Sequence, residues 1–160
     1  MAIFGQSVRI RAYDCSNPEH KDSNINETQL SVYLAGQDED RRARTATLTN
    51  SEAILLCAAL NNRESLDHVK TKWMEELKSA HLKDRPIVLL ITKADLRSAD
   101  TEHELIDSNT INQLAQDIRA DDLFESSAKT GKNVIEAFKR AASLALRNQP
   151  DEKPNKCVIS

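Results

Sequence analysis

Glycine is scarce in this sequence, with only Gly5, Gly36 and Gly131 among 160 residues. A nest of backbone N–H groups around phosphates needs several glycines in one short segment, and no segment here has them. Cysteine is equally thin. Cys15, Cys57 and Cys157 are odd in number and widely spaced, which suits a reducing compartment better than a disulfide framework. No Cys or His pair has ligand spacing, so no metal site is expected. No run approaches the roughly 20 apolar residues that span a bilayer, and Met1-Ala2-Ile3-Phe4 has neither a basic n-region nor a long h-region. The chain therefore reads as cytosolic. An excess of positive charge is missing too: a formal net charge of -3 gives no electrostatic case for nucleic acid, and no nucleic-acid partner is expected.

What is present suffices for one domain. With 39% hydrophobic and 29% charged residues, the length allows a single core, placed at 1–148, with 149–160 as a flexible polar tail. Ser7 to Asp14 and Gln29 to Leu34 alternate polar with apolar, the pattern of half-buried strands, and are expected to form a hairpin at a sheet edge. The intervening Ser16 to Glu27, rich in Asn, Asp and Ser, reads as a surface loop. Ala53 to Leu60 and Ile87 to Thr92 are continuously apolar, as parallel strands covered on both faces are. Leu123 to Ser127 would be the last strand. Helical spacing marks three sets: Leu66, Val69, Trp73 and Leu77; Ile111, Leu114, Ala115 and Ile118; and Val134, Phe138, Ala141, Ala142 and Ala145. Alternation of strand and helix gives an α/β domain. Trp73 falls on the apolar face of its helix and is expected in the core.

Four short motifs follow one another at the expected strand ends: Ala35-Gly36-Gln37, Thr92-Lys93-Ala94-Asp95, Ser127-Ala128-Lys129 and the terminal Cys157-Val158-Ile159-Ser160. Ligands of open α/β sheets bind beyond the carboxyl ends of strands. In this order the motifs resemble the Ras superfamily of small GTPases. The run from Ala35-Gly36-Gln37 through Arg42, Arg44 and Cys57, the Lys72-Trp73 pair, Thr92 where most Ras relatives have Asn, and Asp95-Leu96-Arg97 are similar to its Rho and Rac members. The resemblance implies a P-loop NTPase-like α/β fold, a mostly parallel sheet flanked by helices. Residues 98–108 look shorter than the helix that Rho proteins insert there.

Roles follow from the resemblance, residue by residue. Gln37 stands where the family orients the attacking water, and is expected to be inactive here. Thr92, Lys93, Asp95, Ser127, Ala128 and Lys129 stand at the guanine-binding positions. Asp95 would accept hydrogen bonds from the guanine ring N–H and exocyclic amine, a two-point contact adenine cannot satisfy. Lys93 would lie over the base, Ala128 would offer its N–H to the guanine oxygen, and Lys129 would flank it. The family's first strand, phosphate loop and first helix have no counterpart in this sequence. Ala2 replaces the switch threonine and Tyr33 the Mg²⁺-linked aspartate. GTP or GDP is therefore expected to bind weakly or not at all, with no Mg²⁺.

In the family the missing strand lies between the Gln29 to Leu34 and Ala53 to Leu60 strands. Losing it would uncover several hundred Å² of apolar surface, on the order of 10 kcal/mol. Three outcomes stay open: the flanking strands pair directly, a partner fills the gap, or the chain folds poorly. Cys157 heads a C-a-a-X prenylation box whose final Ser favours farnesyl, implying weak association with the cytoplasmic face of membranes. The expected function is a nucleotide-impaired Rho-like protein that signals through effector- or regulator-like protein partners, using surfaces such as Asp38 to Arg44. The alternative is a truncated product of an active, GTP-hydrolysing Rho GTPase.

Overall fold

Two uninterrupted apolar runs set the centre of the fold. The computed structural model describes the backbone of residues 2–3, 6–7, 12–14 and 30–33, and residues 51–98 and 104–147 in full. β1 (Ala2–Ile3) and β2 (Gln6–Ser7) form a small antiparallel pair. β3 (Ala12–Asp14), β4 (Leu30–Tyr33), β5 (Ala53–Ala59), β6 (Ile87–Thr92) and β7 (Asp122–Glu125) make a five-stranded sheet in that order, with every neighbouring pair parallel.

The hairpin expected from residues 7–14 and 29–34 is not formed. Ala12 pairs with Leu30 and Asp14 with Val32, in parallel. Alternation marks a half-buried strand of either direction, so the pattern alone does not separate the two. Residues 15–29 are long enough for the crossover of a dozen or more residues that parallel neighbours require. Of the three outcomes left open at the sheet centre, the first is found: β4 pairs directly with β5, Leu30 against Ala53 through Tyr33 against Leu56.

Parallel strands alternate their side chains between two faces, and both faces of β5 and β6 are covered. On one face, Ile54, Leu56 and Ala58 with Ile87, Leu89 and Ile91 pack both with Leu66, Val69, Trp73 and Leu77 and with Ile111, Leu114 and Ile118. The opposite face, Ala53, Leu55, Cys57, Val88 and Leu90, lies under α4 (Val134–Arg147) through Ala137, Ala141, Leu144 and Ala145. Alanines on α4 let it approach the sheet closely. Burial pushes the Cys57 thiol up to about 12, so it packs as a small apolar group.

Asn62 begins the first helical stretch, its side chain accepting from Ser65 N–H at 3.0 Å. α1 (Arg63–His68) runs through a π-helical turn, Val69–Trp73, into α2 (Met74–Ser79). Val69, Trp73 and Leu77 all stay on the buried side through this wider turn. α3 (Ser108–Asp117) is capped by Asp107, whose Oδ1 accepts from Thr110 N–H at 2.9 Å.

Both of these helical stretches end in the same way. His81 N–H bonds to Lys78 O and Leu82 N–H to Leu77 O; Arg119 N–H bonds to Gln116 O and Ala120 N–H to Ala115 O. These are Schellman closures, whose left-handed residue is usually glycine. Here it is His81 at φ 59° and Arg119 at φ 55°. Both residues are exposed. His81→Gly and Arg119→Gly are each expected to raise stability by about 0.5–1 kcal/mol, the left-handed penalty less the added freedom of the unfolded chain. Thermal unfolding checks this, and a lowered midpoint in both variants would contradict it.

Candidate functional site

In a parallel sheet all carboxyl ends open on one edge, so β6 and β7 deliver their following loops side by side. β6 ends at Thr92, whose hydroxyl donates to Ala58 O at 3.2 Å and whose carbonyl accepts Leu60 N–H at 3.0 Å. Thr92 therefore ties β6 to β5. Lys93 follows in the left-handed region at φ 62°, a conformation that costs of order 1–3 kcal/mol for a residue with a side chain. It turns the chain sharply into a 3₁₀ turn, Ala94–Ser98. Ala94 N–H then bonds to Ser126 O at 2.9 Å, and Ser126 N–H to Ile91 O at 2.7 Å.

Ser127, fully buried, is the hub of the second loop. Its N–H donates to Lys132 O at 3.0 Å and its carbonyl accepts Gly131 N–H at 2.9 Å. Its hydroxyl accepts from Thr130 N–H at 3.2 Å and donates to Asp95 Oδ1 at 2.5 Å. Gly131 closes the turn at φ 76°, and a Cβ there would meet no atom within 4 Å, so the position needs glycine for its backbone and not for space.

These bonds bring Lys93, Asp95, Ser127, Ala128 and Lys129 to one place from segments about 30 residues apart. Asp95 is half-buried, whereas Lys93, Ala128 and Lys129 are exposed. The Ser127 hydroxyl, and secondarily the Asp95 backbone N–H and the Lys129 charge, hold the Asp95 carboxyl below its ordinary value against the opposing effect of burial. It is an anion at neutral pH and thus an acceptor only. A carboxylate offers about four lone-pair sites, so acceptor capacity remains beside the serine bond. A carboxylate so placed can accept from adjacent N–H donors. Gln37 and Cys157 lie outside the described residues, as does the segment 38–44. Tyr33 is described only as the last backbone position of β4 and Ala2 only as the first of β1. Among the described residues no group of three or more His, Cys, Asp or Glu could hold a metal ion.

One part of the site escaped the sequence reading. Arg97 grips Glu125 by a two-point fork, Nε to Oε2 at 2.7 Å and Nη2 to Oε1 at 2.5 Å. Asn133 Nδ2 donates to the Glu125 carbonyl at 2.9 Å. Asp95-Leu96-Arg97 carried only a family habit, and nothing in a linear pattern pairs Arg97 with a residue 28 positions away. The Arg97 guanidinium, ahead of any smaller contribution from Lys132, holds the Glu125 carboxyl below its usual value. A carboxyl whose pKa is depressed by folding stabilises the fold fully above its unfolded pKa, about 4.3, and loses that contribution as pH falls through the folded value. Stability is therefore expected to drop on acidification below about pH 4. Glu125→Gln should flatten that acid limb. Unfolding midpoints measured from pH 7 to pH 3 check this, and parallel curves for both chains would contradict it.

The Ras family model matches residues 16–147, most of the chain. The chain belongs to the Ras family. Among similar proteins, GTP-binding protein rho3 of Schizosaccharomyces pombe is 37% identical over 130 residues, covering 78% of this chain and 63% of that protein. GTP-binding protein RHO1 of Candida albicans is 35% identical over 135 residues, covering 78% and 67%. GTP-binding protein rho2 of S. pombe is 33% identical over 145 residues, covering 82% and 72%. These relatives put this Ras-family chain in the Rho-type branch, and the α/β sheet flanked by helices is the expected small-GTPase architecture. The chain spans less than two thirds of the length of the first of them.

Proposed function

We propose that this Rho-type chain signals through protein partners without a nucleotide cycle, and keeps only a weak, guanine-preferring base site. The observation that carries the reading is the in-register pairing of β4 with β5. The family resemblance sets a strand and its phosphate loop between those two strands, and here their backbones are bonded to each other. Ala2 and Tyr33, at the positions of the family's Mg²⁺-linked residues, point the same way. Phosphoryl transfer depends on positioned phosphates and metal, so Gln37 has no water to orient. What remains is the Asp95–Ser127 pair and the switch-like segment Asp38 to Arg44, which the family resemblance gives to effectors and regulators.

The test is a titration of the whole chain with GDP, GTP and ATP, with and without Mg²⁺, beside a phosphate-release assay. Weak binding indifferent to Mg²⁺ and no turnover are expected. Tight, Mg²⁺-dependent binding with hydrolysis would sink the proposal in favour of the alternative, an active GTPase of which this sequence is a truncated product.

The proposed location is the cytoplasm, with weak attachment to membranes through a prenyl group on Cys157. One lipid chain gives marginal, reversible binding. Lys153 and Lys156 are offset by Asp151 and Glu152, so the usual contribution of roughly 1 kcal/mol per basic residue is largely cancelled. A minor membrane fraction is expected, lost in Cys157→Ser. Equal partitioning of the two chains in cell fractionation would count against lipidation.

A further inference from the structure

The ladder between β6 and β7 ends with Ile91 against Glu125, so the loops carrying Asp95 and Ser127 must be held by something other than strand pairing. Glu125 meets both sides of that opening. Its carboxylate receives the Arg97 fork from the 3₁₀ turn, and its carbonyl receives Asn133 from the residue before α4. Arg97 stands two residues after Asp95, and Glu125 two residues before Ser127, so the fork ties together the same two segments that the Asp95–Ser127 bond joins. With side chains only 30% and 25% exposed, the planar two-point pair is better shielded and more directional than an ordinary surface ion pair. Asn133 sits in the left-handed region at φ 55°, where glycine would be the easier choice. Its side chain spans from there to Glu125, which glycine could not do.

We propose that Arg97, Glu125 and Asn133 are positioning residues that hold Asp95 and the 127–131 loop in mutual register before any ligand arrives. On the base-site reading, Asp95 so held receives a flat base with two adjacent N–H donors, guanosine as readily as its phosphorylated forms. The ligand part rests on the base-site reading above, whereas the positioning can be measured without ligand.

Amide hydrogen exchange on the full chain reads it directly. The reporters are Ala94 N–H on Ser126 O, and Gly131 N–H on Ser127 O; Val88 and Leu90 of β6 serve as controls. Glu125→Gln and Asn133→Gly are each expected to speed exchange at both reporters by roughly tenfold or more with the controls unmoved. Glycine suits the backbone at 133, so that variant folds. The reversed pair, Arg97→Glu with Glu125→Arg, should restore protection lost in Arg97→Glu alone. Unchanged reporters in Glu125→Gln and Asn133→Gly, or equal loss at the controls, overturn the positioning role. In a second arm guanosine and adenosine are titrated into the wild-type chain and Glu125→Gln. Preference for guanosine in the first, lost in the second, supports the proposal. No preference in the wild-type chain overturns the ligand assignment, whatever the exchange shows.

Discussion

Replacing Trp73 with alanine is expected to lower the unfolding free energy by about 3–5 kcal/mol, the cost of emptying a large aromatic site in a packed core. The indole is only 2% exposed and shares its cluster with Leu66, Val69 and Leu77 from the same helical stretch and with Ile54, Leu56, Leu89 and Ile91 from the sheet. None of these neighbours belongs to a mobile end; the cavity would sit between a π-helical turn and central strands, where collapse is limited by both. Typical domains hold about 5–15 kcal/mol, so the loss is about a fifth of the total at the least. The midpoint should fall by roughly 6–20 °C, at about 2–4 °C per kcal/mol for a chain of this size. Trp73 is the one tryptophan, so circular dichroism rather than fluorescence must follow the variant. Trp73→Phe keeps an aromatic body and should lose less. An unchanged midpoint in the alanine variant would place the ring outside the core.

Burial of Trp73 was legible because helical spacing alone puts residues 66, 69, 73 and 77 on one face, and the π-helical turn alters that spacing too little to expose any of them. The central strands were legible for a similar reason: a run such as Ile87 to Thr92, apolar at nearly every position, has no exposed face to assign. Direction and neighbourhood were not. The alternation around Leu30 and Val32 is the same in a hairpin as in a parallel pair, and a connection as long as residues 15–29 is open to either. Which strand lies beside β5 is a matter of backbone bonding, and side-chain pattern is silent on it. The residues of the two loops after β6 and β7 stood out because they occupy two short contiguous motifs. The fork between Arg97 and Glu125 and the left-handed Asn133 join segments that only folding brings together.

Guanine nucleotides are expected to bind this chain more weakly than roughly 100 µM, with Asp95→Ala abolishing whatever preference over adenine exists. A guanine of about eleven heavy atoms, at roughly 0.5 kcal/mol per atom, supplies only about 5 kcal/mol, which corresponds to a sub-millimolar dissociation constant. Tighter binding would require the phosphates, gripped by backbone N–H groups, a lysine and Mg²⁺. No segment of this sequence has the glycine density for such a grip, and β4 bonded to β5 leaves no opening between them for the strand that would present one. It follows that guanosine, GDP and GTP should bind within about threefold of one another, since groups that touch no partner contribute little. Asp95→Ala removes the acceptor for the two N–H donors and should bring guanosine and adenosine together; it also takes the acceptor from the buried Ser127 hydroxyl, a loss of about 1–3 kcal/mol, so circular dichroism must first show the variant folded. Calorimetric titration of the three guanine ligands and adenosine measures both points. A GTP affinity far above that of guanosine would reveal phosphate contacts from another part of the chain, and the base-only site would have to be abandoned.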